Sequence, residues 1–338
     1  MKKVVFTRFG PPEVLELRDV ARPTPRADEV LIRIYATTVT AAEAAMRRGQ
    51  PLWGRVILGF SRPRRRMRTP GTELAGVIEE VGADVTEFRP GDEVFGFAGF
   101  RIGANAEYMR LPARASLAVK PAGLSFAQAA AAVDGASTAL CFLRDKAGLR
   151  PGERALIIGA SGSVGSYAVQ LARLLGAEVT GVCSGANVEL VTSLGAARVI
   201  DYTREDFTTR GERWDVIFDA VGKSSFRRCR GSLTATGRYV ATTGLANVAL
   251  AAWTRLRGGP RVITGMSVDK RAELAFLGPL LSSGRLQVVI ERSFPLDEIV
   301  AAHRLVDSGR KRGNVVVMVR PEAGERSGRE AVPKTTTS

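Results

Sequence analysis

Cysteine and histidine are scarce in this sequence, which has three cysteines and one histidine among its 338 residues. Cys141, Cys183 and Cys229 lie far apart along the chain, so neither a C-x-x-C pair nor a disulfide framework is indicated. A structural zinc site takes four ligands, mostly Cys and His. The single His303 lies in an apolar helical segment and is interpreted as a packing or surface residue, so the sequence predicts no bound metal.

A long apolar run and an export signal are also missing. No stretch approaches the ~20 consecutive apolar residues that a transmembrane helix requires. The N-terminus passes directly into a strand-like segment without the apolar region of a signal peptide. We therefore expect a cytoplasmic protein that has no membrane partner.

Acidic residues are fewer than basic ones, and the net charge is +15. The densest basic run, at 62–68, is compatible with a patch for nucleic acid or an anionic membrane, or with a solvated arginine-rich loop. No aromatic residue interleaves the run and no nucleic-acid-binding motif accompanies it, which favours the loop. We therefore expect no nucleic-acid partner.

The sequence predicts an α/β protein with two domains, because single cores stop growing at roughly 250–300 residues. Residues 1–122 carry short strands with Gly and Pro between them, which is typical of a small β-barrel. Over 123–265 short apolar strands alternate with helices, which predicts a doubly wound parallel sheet. The segment 266–320 is predicted to return to the first domain, and the polar tail 321–338 to be disordered.

The strongest motif is a glycine-rich turn at 155–165, which follows an apolar strand and precedes a helix. This is the context of a dinucleotide-binding loop. Gly159 would permit the tight turn, Gly162 would let the backbone approach the pyrophosphate, and Gly165 would let the helix pack closely on the strand. The helix N-terminus would then bind the phosphates. The rest of the loop is expected to line the cofactor as well: Ser161, Ser163 and Val164.

The end of the next strand indicates which cofactor binds. NAD-binding folds place an Asp or Glu there to hold the ribose 2′-hydroxyl, whereas this strand ends in Ser184 with no acid in 182–187. The absence of a carboxylate permits NADPH, and Ser184 and Asn187 are able to donate hydrogen bonds to its 2′-phosphate. No Arg or Lys lies in this loop, so a modest preference for NADPH is expected.

Taken together, several stretches resemble the zinc-independent quinone oxidoreductases of the medium-chain dehydrogenase/reductase superfamily, over residues 1 to about 320. The stretches that carry the resemblance are 10–15, 71–78, 90–95, 159–165, 194–202, 218–222 and 311–316. The resemblance implies a GroES-like β-barrel catalytic domain that is interrupted in sequence by a Rossmann domain, with the active site in the cleft between them. It also implies a homodimer, in which an edge strand at 261–265 pairs with its symmetry mate.

The resemblance assigns further cofactor contacts. Tyr202 would join Ser184 and Asn187 at the adenosine phosphate, although relatives often carry a Lys near 187. Gly222 and Gly244 follow strands at the carboxyl edge of the sheet, where the ligand crevice of such a fold lies. The two remaining contacts are Thr138, which would line the nicotinamide pocket, and Asn314.

Zinc-dependent relatives place a Cys near 38 and a His-Glu pair near 72–73, where this chain has Thr38, Thr72 and Glu73. Without a Lewis acid, a quinone or an α,β-unsaturated carbonyl fits best, because the conjugated acceptor is already activated for hydride. Many quinone oxidoreductases have a Tyr where this chain has Ala45, so no obvious proton donor is offered. Solvent or Thr40 would protonate the product.

The leading hypothesis is therefore NADPH-dependent reduction of a small hydrophobic quinone or enone. One alternative is a zinc-free, NADP-dependent alcohol dehydrogenase or carbonyl reductase. Another is a catalytically quiet NADPH-binding protein, an alternative that the missing Tyr at 45 leaves open. The apolar segment 50–60 is interpreted either as part of a hydrophobic substrate pocket or lid, or as packing of the barrel.

Overall fold

The computed structural model describes residues 1–242, 244 and 246–322. The tail that the sequence predicts to be disordered lies outside the described residues from 323 onward.

The strands and helices follow one another along the chain in the predicted alternation. The strands are β1 (Lys2–Val5), β2 (Glu16–Asp19), β3 (Glu29–Thr38), β4 (Glu73–Val81), β5 (Glu93–Phe97), β6 (Tyr108–Pro112), β7 (Ser116–Val119), β8 (Arg154–Ile158), β9 (Glu178–Cys183), β10 (Arg198–Asp201), β11 (Trp214–Asp219), β12 (Leu233–Ala241), β13 (Arg261–Thr264), β14 (Ile290–Pro295) and β15 (Asn314–Met318). The α-helices are α1 (Ala41–Arg47), α2 (Arg55–Leu58), α3 (Phe126–Ala131), α4 (Val133–Leu140), α5 (Ser163–Leu174), α6 (Val188–Ser193), α7 (Phe226–Cys229), α8 (Ala246–Arg257), α9 (Arg271–Ser282) and α10 (Ile299–Asp307).

The first sheet has seven strands and forms the barrel-like part of the molecule. Its order is β14-β15-β3-β4-β5-β7, and β6 pairs with β3 beside β15. The long strand β3 is buried along most of its length, because β4 pairs with one edge while β6 and β15 share the other. The two C-terminal strands thus lie in the same sheet as the N-terminal ones, with Val316 opposite Thr38.

The second sheet has six parallel strands in the order β10-β9-β8-β11-β12-β13. The order reverses between β8 and β11, which makes this the topological switch point of a doubly wound sheet. Helices cover both faces, so the central strands are apolar, and Ile157, Phe218 and Val240 are fully buried. The predicted fold class, a GroES-like barrel with a Rossmann-type parallel sheet, is confirmed.

The helical stretch Phe126–Lys146 differs from its prediction in one respect. The stretch comprises α3, α4 and a π-helical turn at Cys141–Lys146. Its 21 residues are long and apolar enough to cross a membrane, so the expectation that no stretch approaches this length was wrong. However, 78% of the most apolar window is buried inside the protein, which is the character of a core helix.

Candidate active site

A cavity of about 900 Å³ runs along the carboxyl edge of the parallel sheet. This is the edge at which open α/β sheets bind their ligands. The predicted cofactor residues on its lining are Gly159, Ser161, Gly162, Ser184, Asn187 and Tyr202. The other predicted residues are not on this lining: Thr40, Thr138, Ser163, Val164, Gly165, Gly222, Gly244 and Asn314.

Each of the three glycines in the turn after β8 is needed for a different structural reason. Gly159 has φ +76°, in the left-handed region, and a Cβ there would lie 2.5 Å from a methyl carbon of Val221. A Cβ on Gly165 would lie 2.0 Å from the carbonyl oxygen of Gly159, so the helix could not approach the turn. Gly162 has φ −79°, and a Cβ would meet only the Gly159 oxygen at 3.4 Å. Gly162 therefore keeps space open in the cavity, whereas the other two are required by the turn itself.

Helix α5 directs its N-terminus at this space. Gly162 is its N-cap and offers no side chain to the unpaired N–H groups of the first turn. These groups and the helix dipole make a binding site for an anion such as a pyrophosphate. The segment before β15 lies across the turn, because the N–H of Gly313 donates to the carbonyl of Ser161 at 2.8 Å.

The polar groups predicted for the adenosine phosphate lie together. The amide of Asn187 donates to the hydroxyls of Ser161 at 3.0 Å and Ser184 at 3.2 Å. Tyr202, which follows β10, is mostly exposed on the cavity wall. One acid that the sequence analysis did not consider, Asp201, approaches this loop, because a Cβ on Gly185 would lie 2.7 Å from its carboxylate.

Cations from distant parts of the chain complete this half of the cavity, and the sequence analysis missed them. Lys223 and Arg228 come from the loop and helix after β11, and Arg228 pairs with Asp206 at 2.8 Å. Lys311 reaches in from the segment before β15, and burial lowers its pKa to about 8. The loop after β9 itself carries no Arg or Lys, as the sequence indicated. The only sign of these cations in the sequence was the basic stretch 310–312. Nothing in the neighbouring sequence indicated that this stretch lies at the cofactor cavity.

The remaining predicted cofactor residues have defined positions near the cavity. Asn314 accepts a hydrogen bond from the Ser163 hydroxyl at 2.6 Å and donates to the carbonyl of Val289 at 3.0 Å, so its amide is fixed. Gly222 and Gly244 adopt left-handed backbone angles, with φ +66° and +97°, in the loops after β11 and β12. Their contacts with a cofactor stay predictions.

A second polar cluster lies at the start of α4, facing the barrel. Glu73 of β4 is buried, its carboxylate accepts the hydroxyl of Thr38, and it accepts the N–H of Asp134 at 2.6 Å. Burial, together with the neighbouring Asp134 carboxylate, raises the pKa of Glu73 to about 8. Lys270, from the loop after β13, lies 2.8 Å from the Asp134 carboxylate and donates to the Thr138 hydroxyl at 3.0 Å.

The residues at the zinc positions do not fit a zinc ion. Thr38 and Glu73 hydrogen-bond to each other, and neither a thiolate nor an imidazole is present beside them. His303 is fully buried in α10, more than a hydrogen bond away from its nearest acid, Glu43. Thr40 caps α1 by accepting the N–H of Glu43 at 3.1 Å, which gives its hydroxyl a structural role.

One other group among the described residues has the composition of a metal site. The side chains of Cys141, Asp145 and Glu273 each offer one ligand atom, and these atoms lie within 4.8 Å of one another. Burial raises the pKa of the Cys141 thiol, which opposes the thiolate that a metal requires. Asp145 is also engaged by the guanidinium of Arg144 at 2.6 Å. The group therefore offers no convincing set of ligands.

Most of the large side chains in the apolar segment 50–60 lie at the surface, and no residue of the segment lines the cavity. Leu52 and Phe60 are 71% and 77% exposed, and Trp53, Val56 and Ile57 are also more than half exposed. Packing of the barrel therefore does not explain these five apolar side chains. In the following run 62–68, the arginines lie at the surface while Met67 is buried, which is consistent with a solvated loop.

Comparisons with known proteins place two family models on the chain. The alcohol dehydrogenase GroES-like domain matches residues 26–121, and the zinc-binding dehydrogenase domain matches residues 194–317. A 2-methylene-furan-3-one reductase of Solanum lycopersicum is 32% identical over 330 residues, which are 94% of this chain and 79% of that protein.

Two solved structures are similar over nearly the whole chain. The quinone oxidoreductase from Coxiella burnetii has a TM-score of 0.86 and 31% identity, and the match covers 95% of this chain and 99% of that one. The Escherichia coli quinone oxidoreductase complexed with NADPH has a TM-score of 0.81 and 26% identity, and covers 94% and 100% respectively.

Proposed function

The chain belongs to the quinone oxidoreductase-like group of the medium-chain dehydrogenase/reductase superfamily, and from this premise we propose that it reduces a small hydrophobic quinone or α,β-unsaturated carbonyl with NADPH. The relatives support both acceptor classes. Two are quinone oxidoreductases, and the substrate of the third, a 2-methylene-furan-3-one, is an α,β-unsaturated ketone.

The observation that carries the cofactor assignment is the open cradle at Gly162. The uncapped N-terminus of α5 faces it, and apart from the chain neighbours of Gly162 only the Gly159 oxygen among the described residues borders the space that a Cβ would take. The backbone N–H groups of this turn would bind the pyrophosphate. Lys311 and the segment at Gly313 would cover the bound phosphates from the barrel side.

The preference for NADPH over NADH would come from the other end of the cavity. Ser184 and Asn187, which follow the end of β9, present hydrogen-bond donors to the cavity. Arg228, which comes from another part of the chain, presents a cation to the same cavity. Asp201, close to Gly185, acts against a 2′-phosphate by charge repulsion. The two effects oppose each other, which is consistent with a modest preference.

Bound NADPH supplies the hydride, and the protein residues supply orientation, charge and exclusion of water. We propose that the enzyme works without zinc, because the Thr38–Glu73 pair leaves no set of metal ligands at the catalytic position. A quinone or an enone needs little electrophilic assistance, so a hydrogen-bond donor is sufficient in place of a Lewis acid.

A turnover panel tests the proposal and separates its alternatives. We expect NADPH oxidation with quinones and enones, and no appreciable reduction of NADP⁺ by secondary alcohols. Alcohol-dependent reduction of NADP⁺ would instead identify an alcohol dehydrogenase. Tight NADPH binding without turnover on any member of the panel would identify a catalytically quiet NADPH-binding protein.

We also propose that the protein is a homodimer. Within the described part of the chain, strand β13 pairs only with β12 and so leaves one edge free. Helix α8, which packs beside it, exposes Trp253 at 43% and Leu256 at 88%. Pairing of two β13 edges about a two-fold axis would cover both features. The cytoplasmic location, and the absence of nucleic-acid and membrane partners, stay predictions.

A further inference from the structure

Lys270 is a buried cation that the proposed chemistry has not yet used. Its side chain is completely buried, and its Nζ lies 2.8 Å from the Asp134 carboxylate. The same ammonium donates to the hydroxyls of Ser137 at 3.0 Å, Thr138 at 3.0 Å and Ser267 at 3.2 Å. Because an ammonium has three hydrogens, four oxygens saturate it. A substrate would therefore reach this cation only through one of these partners.

Burying a charge costs free energy unless a well-placed partner and hydrogen bonds offset the loss of hydration. Asp134 pairs Lys270, but a pair of apolar side chains would fill the same space at lower cost. The pair also forms a continuous polar chain with Glu73 and Thr38, since the N–H of Asp134 donates to the Glu73 carboxylate. A saturated polar network in an otherwise apolar helix contact is the kind of arrangement that functional sites retain.

The position of the Lys270–Asp134 pair in the fold corresponds to the nicotinamide end of the cofactor. In a doubly wound sheet the dinucleotide lies across the switch point, with one mononucleotide over each half of the sheet. Ser184 and Tyr202 mark the adenosine half, after β9 and β10, so the nicotinamide half lies over β11 to β13. Lys270 comes from the loop that follows β13.

Helix α4 brings the partner of Lys270 to the same place. A Cβ on Gly135 would lie 2.6 Å from the hydroxyl of Ser163, so the first turn of α4 touches the first residue of the phosphate-binding helix α5. Thr138 lies one turn further along α4 and is only partly buried. Its hydroxyl donates to Asp134 at 3.2 Å, one of the longest contacts in the cluster and therefore among the easiest to redirect.

We propose that Lys270 and Thr138 form the proton relay of the reaction, with Thr138 as the donor to the substrate and Lys270 as the positioning residue that replenishes it. This inference rests on the proposed function. Hydride from NADPH adds to the β-carbon of an enone, the π electrons of the C=C bond form a new double bond between the α-carbon and the carbonyl carbon, and the π electrons of the C=O bond move to the oxygen to give an enolate. The hydroxyl proton of Thr138 passes to the resulting enolate, and a proton of Lys270 passes to the Thr138 oxygen.

The balance of charge supports this order of events. The enolate loses its negative charge as the Lys270 ammonium becomes a neutral amine, so no net charge is created in the buried site. After the product leaves, a proton from solvent returns to Lys270 through the hydroxyl of Thr138, which is only partly buried.

The relay can be tested by comparing two classes of substrate in the same variant, because only one class depends on proton transfer in the active site. An enolate requires a proton before the saturated ketone is formed, whereas a hydroquinone anion is stable enough in water to take its proton after release. We therefore measure kcat and KM with 3-nonen-2-one and with 1,4-naphthoquinone in the full-length protein. Thr138→Val removes the hydroxyl with little change of shape and leaves Lys270 paired with Asp134.

We expect Thr138→Val to lower kcat for the enone by roughly 100-fold, the size of a general-acid contribution. KM for the enone and kcat for the naphthoquinone should change by less than about threefold, and Thr138→Ser should restore most of the enone activity. Lys270→Met should show the same split between substrates. Ser267→Ala is the matched control, because it removes a partner of the same ammonium outside the relay.

The relay is wrong if Thr138→Val lowers kcat equally for both substrates, if it leaves the enone rate unchanged, or if Thr138→Ser fails to restore that rate. An unfolded Lys270→Met variant would leave the decision to the two Thr138 variants. If the parent protein itself reduces neither probe with NADPH, the proposed function fails, and that result is distinct from failure of the relay.

Discussion

Replacing Gly162 by valine should abolish NADPH binding while the fold stays intact. In the free protein the new Cβ would lie 3.4 Å from the Gly159 oxygen, and apart from its two chain neighbours no other described residue would come within 4 Å. The backbone at 162 has φ −79° and ψ 179°, an extended conformation that valine favours. Valine is a poorer N-cap than glycine, but it also lowers the entropy of the unfolded chain. We therefore expect the free energy of unfolding to change by about 1 kcal/mol or less.

The loss of binding should be much larger, because the valine methyl groups would occupy the place of the pyrophosphate oxygens. Two hydrogen bonds from the α5 N–H groups to a charged phosphate would be lost, at about 1.5–3 kcal/mol each. The sum of about 3–6 kcal/mol corresponds to a Kd that is higher by a factor of roughly 10²–10⁴. NADPH fluorescence titration measures this change, and circular dichroism with a urea titration measures the fold.

Gly165→Val is the matched control. Its Cβ would lie 2.0 Å from the Gly159 oxygen, so this variant should lose stability even without cofactor. A Gly162→Val protein that binds NADPH within about threefold of the parent affinity would refute the reasoning, because the turn after β8 would then not hold the phosphates.

The purified protein should contain no stoichiometric zinc and keep its activity in chelator; about one zinc per chain by elemental analysis would contradict this. Ser184→Asp should erase or reverse the preference for NADPH, because a carboxylate would face the 2′-phosphate; equilibrium titration with both cofactors measures it, and a parent protein that favours NADH would overturn the assignment. Light scattering at micromolar concentration should give a dimer mass that Leu256→Asp reduces towards a monomer, whereas a monomeric parent would exclude the β13 pairing. Because the pKa of Glu73 is raised to about 8, the folded state holds a proton that the unfolded chain releases near its ordinary value. The contribution of Glu73 to the free energy of unfolding should therefore be greatest below pH ~4.5 and should be lost as the pH rises to about 8. Urea midpoints at pH 6 and 9 should differ less in Glu73→Gln, and an unchanged difference would contradict the assignment.

The sequence by itself determined the features that depend on neighbouring residues. The strand, the three glycines and the helix of the turn after β8 are contiguous, so their spacing alone predicts where a pyrophosphate binds. The alternation of strands and helices likewise predicts a parallel sheet, because parallel strands need a crossover between them. The scarcity of Cys and His, and the wide spacing of the three cysteines, likewise predict that the chain has no structural zinc site.

Only the tertiary structure decided the features that join distant segments. Arg228 and Lys311 meet at one cavity because the order of the strands and the return of the chain to the barrel bring them there. All six strands of the parallel sheet lie between Thr138 and Lys270 along the chain, and no local pattern predicts the contact of these two residues. The raised pKa of Glu73 also depends on burial and on Asp134, which neither residue type nor spacing reveals. Backbone periodicity is a local property, whereas the electrostatics of a site arise from long-range packing, and for that reason the cofactor turn could be read from the sequence while the proton relay could not.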